Sequence, residues 1–412
     1  MHTMRVYDSY EKRFAEARMG QSFSVPSTEE DRESIRARVK DMLAYDEKLL
    51  PSISEFEELS RMTFEKYDIV QLRYTTWNCF YSAATLFMPH GDKKVPLIFV
   101  FCGHGAKGRL SEGYIHMGRR LAEMGVAVMI PDNIGQGDRK KLGHDYVVGP
   151  FYCGLTLQGM ILMESVALIR HMKEHPRIDA ARLGACGNSG GGSLCLLLAA
   201  LAPELTALSS SGYPAEFPHI FAKERRHCSC NLLPGSVHGP EMWEILSAFS
   251  PKPLFIEQGK YDHLFPEDLF YRTARKVGHV YRQLGAEENF RHHLANTKHP
   301  WESEDRYHIA SFFAEVFGLG ETSPENDEDQ ELIALSKEWH VDTSASISTD
   351  EAAQRLTGKT MPENTVLADI SPPMYEGKRL KAEDIIPDIG RGDVMKILAQ
   401  MECALLDRKS KP

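Results

Sequence analysis

The pentapeptide Gly187-Asn188-Ser189-Gly190-Gly191 constrains the fold of this chain more than any other segment. A largely apolar run, Arg182 to Cys186, precedes it, and a helix-like run, Gly192 to Ala202, follows it. A G-x-S-x-G sequence between a strand and a helix predicts a sharp turn, with strained backbone angles at the serine and its hydroxyl lifted clear of the sheet. Glycines two positions away on either side let the flanking strand and helix approach without clashing β-carbons. The plainer reading is a Gly/Ser-rich connection with no chemistry, and the surrounding pattern has to decide between the two.

That pattern alternates strand and helix. Val95 to Cys102 is a near-continuous apolar run, as expected of a strand buried on both faces. Ser111 to Met124 has helical spacing, Val126 to Ile130 reads as a second buried strand, and Leu157 to Lys173 as an amphipathic helix. After the pentapeptide come strands at Leu205 to Ser210, Lys252 to Gln258 and Asn289 to Leu294. Helix-like stretches at Glu267 to Leu284 and Ser303 to Phe317 follow the last two. Repeated β-α units predict an α/β fold with a mostly parallel central sheet covered by helices on both faces.

Upstream, Tyr67 to Thr75 and Phe80 to Phe87 read as an antiparallel strand pair. Residues 1–64 read as an N-terminal helical segment, with an N-cap at Ser27-Thr28-Glu29-Glu30. Residues 65–320 form the predicted catalytic domain. Its alternation breaks between Tyr213 and Ser250, a Pro-, His- and aromatic-rich excursion expected over the carboxyl edge of the sheet, where α/β ligand sites lie. His238 and Trp243 there, with His104, are the candidate substrate contacts. Residues 321–412 read as an acidic, solvated linker at Glu321 to Glu331 followed by an extension with no chemistry motif. The terminal extensions are candidates for homo-oligomer contacts.

The formal net charge of -10 argues against nucleic acid or an anionic membrane as partner. No apolar stretch approaches the length of a membrane span, and residues 1–20 show no signal-peptide pattern, so a cytoplasmic location is expected. Cys102, Cys186 and Cys195 sit in apolar runs and read as small buried hydrophobes. His227-Cys228-Ser229-Cys230, with His219 and His238 nearby, lacks the second half of a zinc-site spacing, so neither metal nor cofactor is expected.

A serine hydroxyl is a poor nucleophile at neutral pH and needs a histidine base, itself oriented by an acid. Asp262 is the expected acid, in the loop leaving the Pro253–Glu257 strand; Glu257 falls inside that strand and Asp268 in the next helix. His299 is the expected base, in the loop after the last strand. His292 and His293 fall within that strand and His308 on the final helix. The developing oxyanion needs two preorganised N–H donors. Gly190 is one, and Ala106 or Gly105, in the loop Gly103-His104-Gly105-Ala106-Lys107-Gly108, the other. His104 precedes the serine and reads as a loop-shaping partner rather than the base. In the loop Asp132 to Arg139, Asp138 and Arg139 read as an ion pair fixing the pocket rim.

These pieces resemble the α/β-hydrolase superfamily, and more narrowly its acetyl xylan esterase and dienelactone-hydrolase-like group. The resemblance runs from about Val95 to Leu319 and rests on Gly103-His104-Gly105, Asp132 to Arg139, Arg177-Ile178-Asp179 before Arg182-Leu183-Gly184, Gly187 to Gly192, Cys230 to Gly235 and Pro251 to Pro266. It implies a Ser189–Asp262–His299 triad and hydrolysis of esters, with acetyl esters of sugars among the implied small-molecule substrates. Amide, peptide, thioester or C–C bond hydrolysis on the same triad is the alternative. A non-catalytic binding protein that keeps the fold is a third reading.

Overall fold

A computed structural model describes residues 25–144, 147–221, 229–231, 233, 239–324, 326–363 and 365. Nine strands form one sheet: β1 (Ser54–Thr63), β2 (Tyr67–Thr75), β3 (Tyr81–Pro89), β4 (Val95–Phe101), β5 (Ala127–Pro131), β6 (Ile178–Asn188), β7 (Ala207–Ser211), β8 (Leu254–Gly259) and β9 (Phe290–Ala295). Their order is β1-β2-β3-β5-β4-β6-β7-β8-β9. β1, β2, β3 and β5 pair antiparallel, and every pair from β5 through β4 to β9 is parallel.

The helices, in chain order, are α1 (Glu29–Leu43), α2 (Glu112–Glu123), α3 (Gly149–Cys153), α4 (Leu157–Lys173), α5 (Gly190–Leu201), α6 (Phe217–Phe221), α7 (Met242–Ser247), α8 (Glu267–Gln283), α9 (Ser303–Phe317), α10 (Gln330–Leu335) and α11 (Thr349–Thr357). One core cluster joins the sheet to α1, α4, α5, α7, α8 and α11. A second joins its other face to α2, α9 and α10. α5 explains the apolar run after the pentapeptide: from Gly191 to Leu201 every residue is buried. Each leucine on it contributes roughly 1.5–3 kcal/mol of burial, so the helix that begins at the serine turn is tied firmly to the core.

One expectation is corrected and a second is sharpened. The helical reading of residues 1–64 fits α1, where Thr28 closes a capping box with Asp31, but residues 54–63 form strand β1. β1 is an edge strand whose residues are mostly exposed, with register shifts against β2, so neither alternation nor an apolar run marks it. The acidic stretch 321–331 is largely exposed, as a solvated linker would be, but it is pinned to the domain. Asp327 takes bonds from Arg306 Nε (3.0 Å) and Arg120 Nε (2.6 Å), and Asp329 caps α10. Although burial works against it, these two guanidinium groups hold the Asp327 carboxyl below the usual carboxylate range. Among the described residues no helix is long and apolar enough to cross a membrane. Cys102, Cys186 and Cys195 are buried free thiols.

Candidate active site

Ser189 sits between β6 and α5 at φ 57° and ψ −117°, a conformation that costs a non-glycine residue on the order of 1–3 kcal/mol. The turn is held by backbone contacts. Ser189 N–H donates to Ser211 O at 3.0 Å. A β-carbon on Gly191 would lie 1.9 Å from Phe101 O, and one on Gly187 would lie 2.5 Å from the Gly191 carbonyl. The glycines therefore let β4, β6 and α5 meet at the serine. Gly190 N–H, in the first turn of α5, has no intrahelical acceptor.

His299 and Asp262 meet across the ends of β8 and β9. His299 Nδ1 is 2.7 Å from Asp262 Oδ2, and the carboxylate is fully buried. Asp262 Oδ1 accepts the Leu264 and Phe265 N–H groups at 2.7 and 3.2 Å. An acceptor-only carboxylate requires the hydrogen on His299 Nδ1, which leaves Nε2 with its lone pair. The Phe265 ring stacks on the imidazole at 5.8 Å. Asn188 Nδ2 donates to His299 O at 2.9 Å, so the residue preceding Ser189 grips the histidine loop. Thr297 in that loop donates to Asp305 Oδ1 on α9 at 2.8 Å. Burial pushes the Asp305 carboxyl up to about 6, though bonds from Glu302 N–H and Thr297 oppose the rise.

The rival residues lie elsewhere. Glu257 is buried within β8, neither of its carboxyl oxygens has a hydrogen-bond partner among the described residues, and burial raises its pKa well above the usual range. Asp268 is on α8 beside Arg272. His292 stacks on Phe290, and His293 on His308.

Gly103 is packed on the serine: a β-carbon there would lie 2.9 Å from Ser189 Cβ. His104 covers Gly190, with Nδ1 and Cε1 each 2.8 Å from where a β-carbon on Gly190 would be. Gly105 N–H is already committed to Gln136 Oε1 at 3.1 Å, which corrects its reading as an oxyanion donor. Ala106 is exposed, and its N–H makes no hydrogen bond among the described residues. His104, Gly105 and Ala106 line a cleft of about 500 Å³ with Gln136, Lys140 and His144. A second cleft, about 410 Å³, lies at the far end of α5 among ion-paired side chains such as Arg36 and Arg170.

The other proposed substrate contacts separate. Trp243 is buried in the core on α7, with Lys276 Nζ 5.7 Å from its ring centre, and does not line the cleft. An aromatic residue in an irregular excursion read as a pocket wall, but it belongs to the buried face of a short helix. His238 lies outside the described residues. Cys230 was assigned no ligand role from its spacing, yet it approaches His104 from the excursion, with Sγ 3.3 Å from His104 Nε2.

Asp138 and Arg139 do not pair with each other. Asp138 binds Arg109 Nη1 at 2.7 Å, and Arg139 forms a two-pronged pair with Glu164 at 2.8 and 2.9 Å. Arg109 is fully buried and also binds Asp132 at 2.5 Å and the Trp339 carbonyl at 2.6 Å. Val341 N–H and His340 Nδ1 reach Asp138 at 2.7 and 2.6 Å. Asp350, on α11, accepts the Val148 and Gly149 N–H groups at 3.0 and 2.7 Å. The extension beyond residue 338 thus clamps the loop that forms the cleft wall. Nothing in the local sequence signalled this, because the partners are two hundred residues apart.

The sheet order, the serine turn and the loops at the strand ends define an α/β-hydrolase fold. Within it the chain resembles the acetyl xylan esterase group: the family model described as acetyl xylan esterase (AXE1) matches residues 23–225. That stretch includes Ser189 but ends before Asp262 and His299. A curated relative from Bacillus subtilis (strain 168), named "Putative hydrolase YtaP", is 24% identical over 175 residues. The match spans 42% of this chain and 58% of that relative's length. Among solved structures, the methylesterase BT1017 superposes with a TM-score of 0.61 at 22% identity, covering 87% of this chain and 76% of that one. The glucuronoyl esterase from Solibacter usitatus superposes at 0.57 with 12% identity, over 72% and 99%. At these identities the structures speak for the fold.

Proposed function

We propose that the protein is a serine hydrolase that cleaves a carboxylic ester through an acyl-enzyme, with Ser189 as nucleophile, His299 as base and Asp262 as its orienting acid. The observation that carries this reading is the double anchoring of His299: Asp262 fixes its tautomer and Asn188, next to Ser189, holds its backbone. His299 Nε2 takes the Ser189 proton as Oγ attacks the ester carbonyl, then returns it to the departing alcohol. Gly190 N–H and an amide of the loop 103–106 stabilise the oxyanion, each worth ~3 kcal/mol in the transition state. Water, activated by the same imidazole, releases the acid.

The esterase names of the matched family model and of the structural relatives support an ester over an amide. The open cleft, with the polar side chains of His104, Gln136, Lys140 and His144 in its lining, suits a sugar-borne short acyl ester, and acetyl is the acyl group suggested by the family description. The test pairs p-nitrophenyl acetate, butyrate and octanoate with aminoacyl p-nitroanilides, alongside fluorophosphonate labelling of the wild type, Ser189→Ala and His299→Ala. The reading expects turnover of short acyl esters and labelling lost in Ser189→Ala. Labelling that persists in Ser189→Ala, or turnover of amides only, would overturn it.

A further inference from the structure

Three donor side chains that are distant in sequence converge beside the elbow serine. His104 comes from the loop after β4, His144 from the loop after β5 and Cys230 from the excursion after β7. His104 Nε2 is 3.0 Å from His144 Nε2 and 3.3 Å from Cys230 Sγ. All three donor atoms lie within 4.8 Å of one another. Tetrahedral zinc, with bonds of ~2.0–2.1 Å to nitrogen and ~2.3 Å to sulfur, places its ligand atoms about 3.3–3.6 Å apart. The His104–His144 and His104–Cys230 separations fall within a few tenths of an ångström of that, and the third pair lies within 4.8 Å.

The protonation pattern points the same way. His144 Nδ1 is 2.6 Å from Ile134 O. A carbonyl can only accept, so the hydrogen is on Nδ1, and Nε2 turns its lone pair toward His104 and Cys230. Metal-bound histidines are held in this manner, with the distal nitrogen tied to a carbonyl that sets ring and tautomer. The His144 backbone is seated equally firmly: a β-carbon on Gly135 would lie 2.3 Å from Gly143 O and 2.6 Å from His144 Cβ. His144 and Cys230 are buried, whereas His104 is exposed on the cleft wall. Such a group is closed on the protein side and open toward the cleft.

We infer that His104 Nε2, His144 Nε2 and Cys230 Sγ form a site for a divalent transition metal ion, with zinc favoured by the Cys/His donor set. Three protein ligands and one open position are the arrangement of a catalytic or substrate-binding zinc rather than a closed structural one. The open position faces the cleft where His104 covers Gly190. A carbonyl, hydroxyl or carboxylate oxygen of a bound substrate would complete the coordination there. Sequence spacing could not show the site, because each ligand comes from a different loop.

The test is cobalt and zinc binding to the chelator-treated, full-length protein. The expected result is one metal ion lost in the variants, and a thiolate-to-cobalt charge-transfer band in the near ultraviolet for the wild type. Cys230→Ser should abolish the band and weaken zinc binding by more than about 100-fold, beyond the range seen when only a supporting partner of a ligand is lost. His144→Ala should weaken binding similarly. His308→Ala, in the other cluster of His293, Glu304 and His308, should leave the band unchanged. Circular dichroism and urea unfolding of each variant show whether it is folded, and the wild-type band does not depend on any variant. A wild type that takes up no cobalt, binds it without the thiolate band, or keeps its affinity in Cys230→Ser overturns the inference.

Discussion

The two walls of the cleft are held by opposite means. On the elbow wall, β4, β6 and α5 meet through glycines, with backbone against backbone. On the facing wall, the loop carrying Gln136, Lys140 and His144 hangs on buried charges. Arg109 joins Asp132 and Asp138, Arg139 joins Glu164, and the chain beyond residue 338 adds its own donors and acceptors. Steric contacts of the first kind are short in range and leave no alternative packing. Paired charges of the second kind cost desolvation, and losing one partner leaves the other stranded. The elbow wall should therefore fail in chemistry or not fold at all, and the facing wall should fail in stability and in response to pH.

The largest effect should come from the acid. Asp262→Asn should lower kcat by ~10⁴-fold, since the amide favours the wrong tautomer of His299, while the urea midpoint changes little. Steady-state kinetics with a p-nitrophenyl ester checks this, and a loss below tenfold would remove Asp262 from its assigned role as the acid that orients His299. Gly191→Ala comes next. The new methyl would lie 1.9 Å from Phe101 O, so the protein should lose at least about 3 kcal/mol or fail to fold, as measured by urea denaturation.

Asp138→Asn tests the facing wall and should cost about 3 kcal/mol by stranding part of the Arg109 charge. The loss should depend on pH. Although burial opposes it, Arg109, His340 and the Val341 N–H hold the Asp138 carboxyl below its ordinary value. A depressed folded-state pKa stabilises fully above the unfolded value of about 4, and the stabilisation disappears as pH falls through the folded one. The midpoint gap between wild type and Asp138→Asn should thus be constant from neutrality to about pH 5 and close at lower pH. A gap that widens in acid would refute the assignment. The smallest effect is expected from Gln136→Ala, which frees Gly105 N–H and should cost about 1 kcal/mol of stability by urea denaturation, with kcat/KM little changed.

The same contrast governs what was legible in the sequence. The parallel sheet, the serine turn, and the loops bearing Asp262 and His299 could be read because each follows from a local pattern or from position at a strand end. β1 could not, because an exposed charged edge strand carries neither an apolar run nor clean alternation. The partners of Asp138 and Arg139 were misassigned because adjacent opposite charges look paired in one dimension. In the folded chain, β-strand and loop geometry send one to Arg109 and the other to Glu164. Trp243 was misplaced because the excursion contains a short buried helix that its composition hides. Gly105 was lost as a donor through a side chain from the neighbouring loop, a tertiary contact with no sequence signal.

The clamp on Asp138 and on the Val148 and Gly149 N–H groups also has a bearing on timing. Its donors at residues 340 and 341 and the α11 carboxylate at 350 follow the last strand, β9, in the chain. Chains emerge from the ribosome N-terminus first, and domains fold as they emerge. A nascent chain that has completed its sheet would hold the elbow serine while the facing wall still awaits the residues that lock it. In that order of events the cleft would take its final shape only after residue 350 has emerged.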